Sequence, residues 1–88
     1  MWTLYILKCR DGSLYTGITT DVDQRVKTHN AGRGGAYTRS RTPVRLLFRE
    51  AHANRSSALK REAQIKSWSR SEKIEFCRGR AVSGIVKG

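Results

Sequence analysis

Residues 4–18 read LYILKCRDGSLYTGI, and this stretch decides the fold of the 88-residue chain. Two runs of aromatic and β-branched residues flank an Asp-Gly pair, the strongest short-range signal for a β-hairpin. A three-residue loop at 10–12, with its glycine left-handed, would pair Tyr5 with Gly17 and place Tyr5 and Tyr15 on one face. A two-residue turn would send the tyrosines to opposite faces. We adopt the three-residue loop, because downstream residues are placed to face such a pair.

The charge of the chain predicts its class of partner. Lys and Arg number 18 against 7 Asp and Glu, giving a formal charge of +11. Such an excess favours a polyanion, with nucleic acid as the default and an anionic membrane surface as the alternative. No apolar run reaches the length of a spanning helix, and the N-terminus lacks the features of a signal peptide. We therefore expect a cytoplasmic protein without a membrane partner.

Length and cysteine content predict one small intracellular domain. We assign it to residues 1–78 and expect a flexible, glycine-rich tail at 79–88. The two cysteines, Cys9 and Cys77, lack CxxC spacing and a neighbouring histidine cluster. They are therefore expected to be reduced and partly buried, not zinc ligands.

Residues 20–30 predict a helix whose inward face is polar. Thr20 and Asp23 have the spacing of a capping box at its start. Arg25 and His29 fall three and four residues from two valines and so lie on or beside the apolar stripe. One such side chain would be read as snorkelling at the edge of the core. A pair beside two tyrosines favours a shared polar site.

Residues 31–42 predict a mobile cationic loop in which glycine and arginine alternate around one aromatic residue. Arginines and backbone amides suit phosphate oxygens, and the tyrosine suits stacking on a base or sugar. A merely solvated basic loop explains this stretch equally well when it is taken alone. The charge of +11 favours phosphate contact. The predicted contacts are Arg33, Tyr37, Arg39 and Arg41.

The rest of the chain predicts one more strand and two helices. Residues 44–50 are expected to form the third strand, starting after Pro43, and His52 is placed in the following turn at the surface. Residues 54–68 predict a helix. A shorter helix follows to about residue 78, opened by a second capping box at Ser69 and Glu72.

Glu62 lies in the middle of the predicted buried stripe of the 54–68 helix, between Leu59 and Ile65. A buried carboxylate without a partner is very costly, so it needs a cation, a metal or several donors. An ion pair with Arg25 is the structural alternative, and a metal ligand is the functional one, which we favour. Three basic side chains of this helix are expected on other faces: Lys60, Arg61 and Lys66.

These inward-facing polar groups suit phosphodiester hydrolysis, which needs an activated water and neutralisation of the developing phosphorane charge. Glu62 can hold one Mg²⁺ or Mn²⁺, with water and phosphate oxygens completing the octahedron. Arg25 would contact the scissile phosphate. A tyrosine whose pKa is lowered by His29 or by the cation could take the proton of the water. No second carboxylate accompanies Glu62, which argues against a two-metal site.

The ordered set of polar residues resembles a GIY-YIG nuclease domain. The residues that carry the resemblance are Tyr5, Tyr15, Gly17, Arg25, His29 and Glu62. Residues 3–5 (TLY) and 15–17 (YTG) stand for the two signature triplets, although the first lacks its glycine. The match covers roughly residues 2–77, and residues 36–39 (AYTR) and 62–66 (EAQIK) most resemble small stand-alone bacterial members of the YhbQ type.

The resemblance implies an α+β fold, a small three-stranded antiparallel sheet flanked by helices. It also implies a metal-dependent endonuclease that cuts single- or double-stranded DNA with one metal ion. The tyrosine base would be Tyr5 or Tyr15, with Tyr5 preferred because His29 could orient it, and Glu62 would bind the metal. Lys66 joins the predicted nucleic-acid contacts. The alternative is a non-catalytic nucleic-acid-binding module that retained the nuclease fold.

Overall fold

The computed structural model describes residues 1–78, and the predicted tail at 79–88 lies outside them. Strands and helices follow in the order β1 (Trp2–Lys8), β2 (Leu14–Thr19), α1 (Val22–Asn30), α2 (Ala36–Arg39), β3 (Arg45–His52), α3 (Arg55–Lys66) and α4 (Arg70–Arg78). The strands form one antiparallel sheet in the order β2-β1-β3. The predicted α+β fold is confirmed.

The hairpin of β1 and β2 has the register that brings the two tyrosines to one face. Tyr5 lies opposite Gly17 on the neighbouring strand. The Gly12 amide donates to the carbonyl of Cys9 at 2.9 Å, and Gly12 has a φ of 87°. Only glycine adopts this left-handed conformation without a steric penalty. The predicted three-residue loop is confirmed, and Tyr15 shares the face of Tyr5.

Helices cover both faces of the sheet, and each face has its own apolar cluster. On one face, strand residues pack against α3 and α4 in a cluster of Leu4, Ile6, Phe48, Ile65 and Cys77. On the other face, which carries the tyrosines, the cluster is Tyr5, Leu7, Cys9, Val22 and Val44. Both cysteines are buried, more fully than the partly buried positions that the sequence indicated. The polar residues of α1 therefore meet the tyrosine face of the sheet.

The start of α1 differs from the prediction. Its N-cap is Asp21, whose Oδ1 accepts a hydrogen bond from the Gln24 amide at 3.1 Å. The predicted capping box of Thr20 and Asp23 is therefore wrong. An aspartate caps a helix by reaching the amide three residues ahead, and Asp21 does so from one position later. The helix ends at Asn30 as expected.

The start of α4 follows the prediction. The Ser69 amide donates to Glu72 Oε1 at 2.7 Å, and the Glu72 amide donates to Ser69 Oγ at 3.2 Å. These reciprocal bonds are the capping box. Arg70 next to it donates from Nη2 to the carbonyl of Gly12 at 2.9 Å. The start of α4 is thereby fastened to the hairpin loop.

The third strand runs further than predicted, to His52. His52 pairs with Trp2 at the end of the sheet and is not in a turn, and its side chain is only 14% exposed. The outward placement of Arg61 is also wrong: it is half-buried, and its guanidinium carbon lies 5.2 Å from the ring centroid of Phe76. Leu59, expected in the buried stripe of α3, is only half-buried.

No helix within residues 1–78 is long and apolar enough to cross a membrane.

Candidate active site

Tyr5 and His29 form the centre of the candidate site. Tyr5 on β1 and His29 on α1 are both fully buried, and Tyr5 Oη lies 3.4 Å from His29 Nε2. A Cβ at Gly17 would stand 2.6 Å from Tyr5 Oη, so any side chain opposite Tyr5 would displace the phenol. The half-buried Tyr15 ring lies 5.2 Å from the His29 ring between centroids. Three predicted residues thus meet at one point.

Two residues that the sequence did not single out hold His29 in place. Its Nδ1 lies 2.7 Å from Oγ1 of Thr38, which is fully buried in α2. A Cβ at Gly34 would overlap Nδ1 and Cγ of the His29 ring, so glycine is needed there. The available signal was the Gly-Gly pair at 34–35. We interpreted it as loop mobility, whereas Gly34 provides room for an imidazole.

The segment predicted as a mobile loop contains the short helix α2, which presents Tyr37 to solvent. Tyr37 is 42% exposed, and its ring lies 5.8 Å from that of Tyr15 between centroids. The Arg41 guanidinium carbon stands 4.4 Å above the Tyr37 ring. Arg41 Nε also pairs with Asp11 Oδ2 at 3.1 Å. Of the predicted phosphate contacts, Arg41 therefore already has an acidic partner within the protein, whereas Arg39 is exposed on α2.

Burial sets the protonation of the central pair. Desolvation, reinforced by Tyr15 and Glu62, raises the pKa of Tyr5 to about 12, although the charge and side-chain hydrogen bond of Arg25 oppose this rise. Desolvation and the Arg25 charge lower the pKa of His29 below its ordinary value of 6.5. At neutral pH the site therefore holds a protonated phenol beside a neutral imidazole, and the lowered tyrosine pKa expected from the contact with His29 is not found at Tyr5.

Arg25 connects this buried pair to an open cleft. Arg25 is exposed, so its predicted inward position is only partly right, although its charge still acts on the Tyr5 phenol and opposes the rise of the Tyr5 pKa. Arg25 and Arg33 both line a cleft of about 400 Å³ beside α1, together with Gly34. The other lining residues are polar: Thr19, Thr20, Asp21, Gln24 and Thr28. Two guanidinium groups in one cleft suit phosphate oxygens.

Glu62 lies on α3 with 18% of its side chain exposed, and its Oε2 is 3.2 Å from Lys66 Nζ. Its ion-pair partner is therefore Lys66, and the pair that we considered with Arg25 is not formed. The negative charge of Glu62 contributes to raising the pKa of Tyr5. Glu62 is thus within electrostatic range of the Tyr5 phenol. The ammonium group of Lys66 lies beside the Glu62 carboxylate.

Glu62 is suited to holding a divalent ion together with substrate phosphate and water. No group of three or more His, Cys, Asp and Glu side chains that could hold a metal occurs within residues 1–78. A closed, all-protein metal site is therefore ruled out for this part of the chain. Mg²⁺ is commonly held by one or two carboxylates together with substrate phosphate and water. Glu62 is a single carboxylate whose charge acts on Tyr5, as the charge of Arg25 does, so it matches that mode.

A second polar cluster lies at the end of β3. His52 Nε2 is 2.8 Å from Glu50 Oε1, and His52 Nδ1 is 2.7 Å from Ser57 Oγ. Arg61 Nε donates to the same Glu50 oxygen at 3.1 Å. These contacts join the last residues of β3 to the first and second turns of α3. They fasten two elements of the fold together.

Comparison with known proteins places this arrangement in context. The model of the GIY-YIG catalytic domain matches residues 1–75. A UPF0213 protein of Haloquadratum walsbyi is 57% identical over 73 residues, 83% of this chain and 82% of the relative. A UPF0213 protein of Staphylococcus haemolyticus is 49% identical over 73 residues, 83% of this chain and 89% of the relative. The solution NMR structure of a UPF0213 protein from Bacillus halodurans superimposes with a TM-score of 0.60 at 42% identity, covering 93% of this chain and 88% of that one.

Proposed function

This chain belongs to the GIY-YIG family and to the UPF0213 group within it, and from that premise we propose that it is a metal-dependent endonuclease acting on DNA. The proposal covers hydrolysis of phosphodiester bonds in single- or double-stranded DNA with one Mg²⁺ or Mn²⁺. One observation carries it. A buried tyrosine and histidine share a site with Arg25, which also lines an arginine-bearing cleft.

Each residue of the site has a role in this reaction. Arg25 and Arg33 bind the phosphate in the cleft, and Arg25 offsets the charge that develops on phosphorus. Tyr5 acts as the base in its phenolate form: it accepts a proton of the attacking water as the water oxygen bonds to phosphorus and the bond to the sugar oxygen breaks, and the leaving sugar oxygen takes a proton from solvent water. Glu62 would hold the divalent ion, which supplies positive charge at the phosphate oxygens. Further phosphates of the strand would contact Arg39, Arg41 and Lys66, with Tyr37 stacking on a base.

The identity of the base is tested by the two tyrosines themselves. Tyr5 is favoured because its oxygen lies between His29 and Arg25, whose donors stabilise a phenolate. Tyr15 is the alternative, since it is only half-buried whereas Tyr5 is fully buried. Tyr5→Phe and Tyr15→Phe should be compared across pH. The base is the tyrosine whose loss removes the alkaline rise of the cleavage rate.

A second function, nucleic-acid binding without turnover, is favoured by one observation. The formal charge of +11 provides strong attraction to any polyanion without any catalytic group. Glu62 argues against a function in binding alone, because a partly buried carboxylate does not strengthen the binding of a polyanion.

Cleavage of labelled DNA separates the two functions. Single-stranded, duplex and RNA oligonucleotides would be incubated with the protein and Mg²⁺, Mn²⁺ or EDTA, and binding would be measured at several salt concentrations. We expect metal-dependent cleavage of DNA and binding that weakens steeply with salt. Salt-sensitive binding without cleavage under any of these conditions would establish the binding module instead.

A further inference from the structure

The hydroxyl of Thr38 is buried against the imidazole of His29. Its Oγ1 lies 2.7 Å from Nδ1, and Thr38 is fully buried. Within residues 1–78, this ring nitrogen is the one hydrogen-bond partner of the Thr38 side chain. Bonds donated by a hydroxyl are commonly about 2.7–2.8 Å long, which the contact between Thr38 Oγ1 and Nδ1 matches, whereas the 3.4 Å between Tyr5 Oη and Nε2 is longer than a hydroxyl donor commonly makes. The distances therefore favour the Thr38 hydroxyl, and not the Tyr5 hydroxyl, as the donor to His29.

A hydrogen bond accepted at Nδ1 determines where His29 carries its own proton. A neutral imidazole has one N–H, so accepting at Nδ1 leaves the proton on Nε2. Nε2 is the nitrogen that faces Tyr5 Oη, at 3.4 Å. We propose that Thr38 is a positioning residue that fixes the proton of His29 on Nε2 and so makes His29 a hydrogen-bond donor to the Tyr5 oxygen.

The surroundings of His29 support a single orientation of the ring. Tyr15 contacts it edge-on, with ring centroids 5.2 Å apart. The backbone at Gly34 lies so close that a Cβ there would overlap the ring. Tyr5 and Thr38 occupy the two nitrogens. Arg25 is the charged group that acts on the ring, and its charge favours the neutral imidazole.

This direction of the hydrogen bonds has a consequence at Tyr5. Its oxygen then faces the Nε2–H donor of His29 and is also acted on by the positive charge of Arg25. Donors to a phenol oxygen stabilise the phenolate over the phenol, which opposes the effect of burial on Tyr5. The catalytic consequence rests on the proposed nuclease function, whereas the position of the proton does not.

The sign of one pKa change tests the proposal. The chain has only two histidines, so NMR titration of wild type, Thr38→Val and Thr38→Ser is readily assigned with His52→Gln. A donor to Nδ1 favours the neutral ring, so its loss in Thr38→Val should raise the pKa of His29 by about 0.5 to 1, and Thr38→Ser should keep the wild-type value. A fall in Thr38→Val would mean that Nδ1–H donates to Thr38, and no change would mean that the contact fixes nothing. Either result overturns the proposal.

Two further measurements keep the outcomes apart. Long-range ¹H–¹⁵N correlation on the wild type should find the His29 proton on Nε2, and a proton on Nδ1 would refute the proposal even if Thr38→Val does not fold. In the cleavage assay, Thr38→Val should lower kcat about tenfold with KM unchanged, and Thr38→Ser should restore it. If the wild type does not cleave DNA, the nuclease function fails while the NMR result still decides the position of the proton. An unchanged kcat in Thr38→Val would refute the catalytic consequence.

Discussion

His29 and His52 each use both ring nitrogens in hydrogen bonds, but their partners differ in charge. His29 lies fully buried between the hydroxyls of Tyr5 and Thr38. His52 lies at the end of the sheet between Ser57 and the carboxylate of Glu50. That carboxylate also pairs with an arginine of α3. One histidine lies between two neutral hydroxyls, and the other is hydrogen-bonded to the carboxylate of an ion pair.

The difference separates a candidate reactive site from a structural fastening. His29 is one contact away from Arg25 and its cleft, so changes near it should alter activity. His52 joins β3 to α3, so changes near it should alter stability alone. A hydrogen-bonded histidine beside a serine and a carboxylate is therefore not by itself a sign of catalysis. The predictions below test this division.

The largest effect is expected from Arg25→Ala. Removing one preorganised group that stabilises transition-state charge commonly costs about 10²- to 10³-fold in rate, and Arg25 is the group in contact with both Tyr5 and the cleft. Single-turnover cleavage would measure it. Arg78→Ala is the control, since Arg78 is exposed on α4 and pairs only loosely with Glu75, at 3.8 Å. Equal losses in both variants would mean that general charge, not the cleft, supports cleavage.

Gly34→Ala should disturb the His29 region without reaching His52. The added Cβ would overlap the imidazole, and overpacking of this kind costs about 1–3 kcal/mol. We expect a lower urea midpoint and shifted His29 resonances in the NMR spectrum. The His52 resonances serve as the internal control and should not move. An unperturbed His29 would contradict the close packing described here.

Stability should fall as pH decreases through the range where His29 titrates. Burial and the Arg25 charge lower the folded-state pKa of His29 below 6.5, so the unfolded chain binds a proton at higher pH than the folded protein. The resulting stability is present above about pH 6.5 and is lost as pH falls toward the folded-state pKa of His29. Asp11, whose pKa hydrogen bonds from Ser13 lower from 3.8, acts at lower pH.

Urea denaturation between pH 8 and pH 5 would measure this decline. The same decline should occur in His52→Gln, because it arises from the buried histidine. If the loss of stability at low pH disappeared in His52→Gln, it would arise from His52 and not from His29, which would contradict this account.

The smallest effect is expected from His52→Gln itself. The contact with Glu50 is partly exposed, and ion pairs of this kind contribute about 1 kcal/mol or less. We expect a slightly lower urea midpoint and a cleavage rate within about twofold of the wild type. A loss of cleavage approaching that of Arg25→Ala would show that the His52 cluster takes part in the reaction.

The hairpin and the polar face of α1 were predictable because they depend on local rules. The Asp-Gly loop and strand alternation gave the register that unites Tyr5 and Tyr15, and helical spacing placed His29 toward them. The contacts of Thr38 and Gly34 with His29 were not predictable, since both arise from the tertiary path of the segment after α1. A sequence reveals that glycine is present but not which side chain needs the space.

Two of the misplaced residues of α3 and β3, Arg61 and His52, have a related cause. Arg61 was assigned to an outer face by charge, yet its long side chain covers Phe76 and pairs with Glu50. His52 was separated from its strand because nothing local shows that the pairing with Trp2 continues. Both positions depend on neighbours distant in sequence. The burial of an amphipathic side chain that contacts residues distant in sequence is difficult to predict from the local sequence pattern.

The central claim is that cleavage takes place at the site that Glu62 shares with Tyr5 and Arg25. Single-turnover cleavage and DNA binding would be measured for Glu62→Ala and Glu75→Ala, with circular dichroism on both. Each variant removes one negative charge, but the Glu75 side chain is 75% exposed on α4. We expect Glu62→Ala to lose metal-dependent cleavage while it stays folded and binds DNA as well as or better than the wild type, and Glu75→Ala to cleave normally. Full cleavage by a folded Glu62→Ala protein would contradict the account.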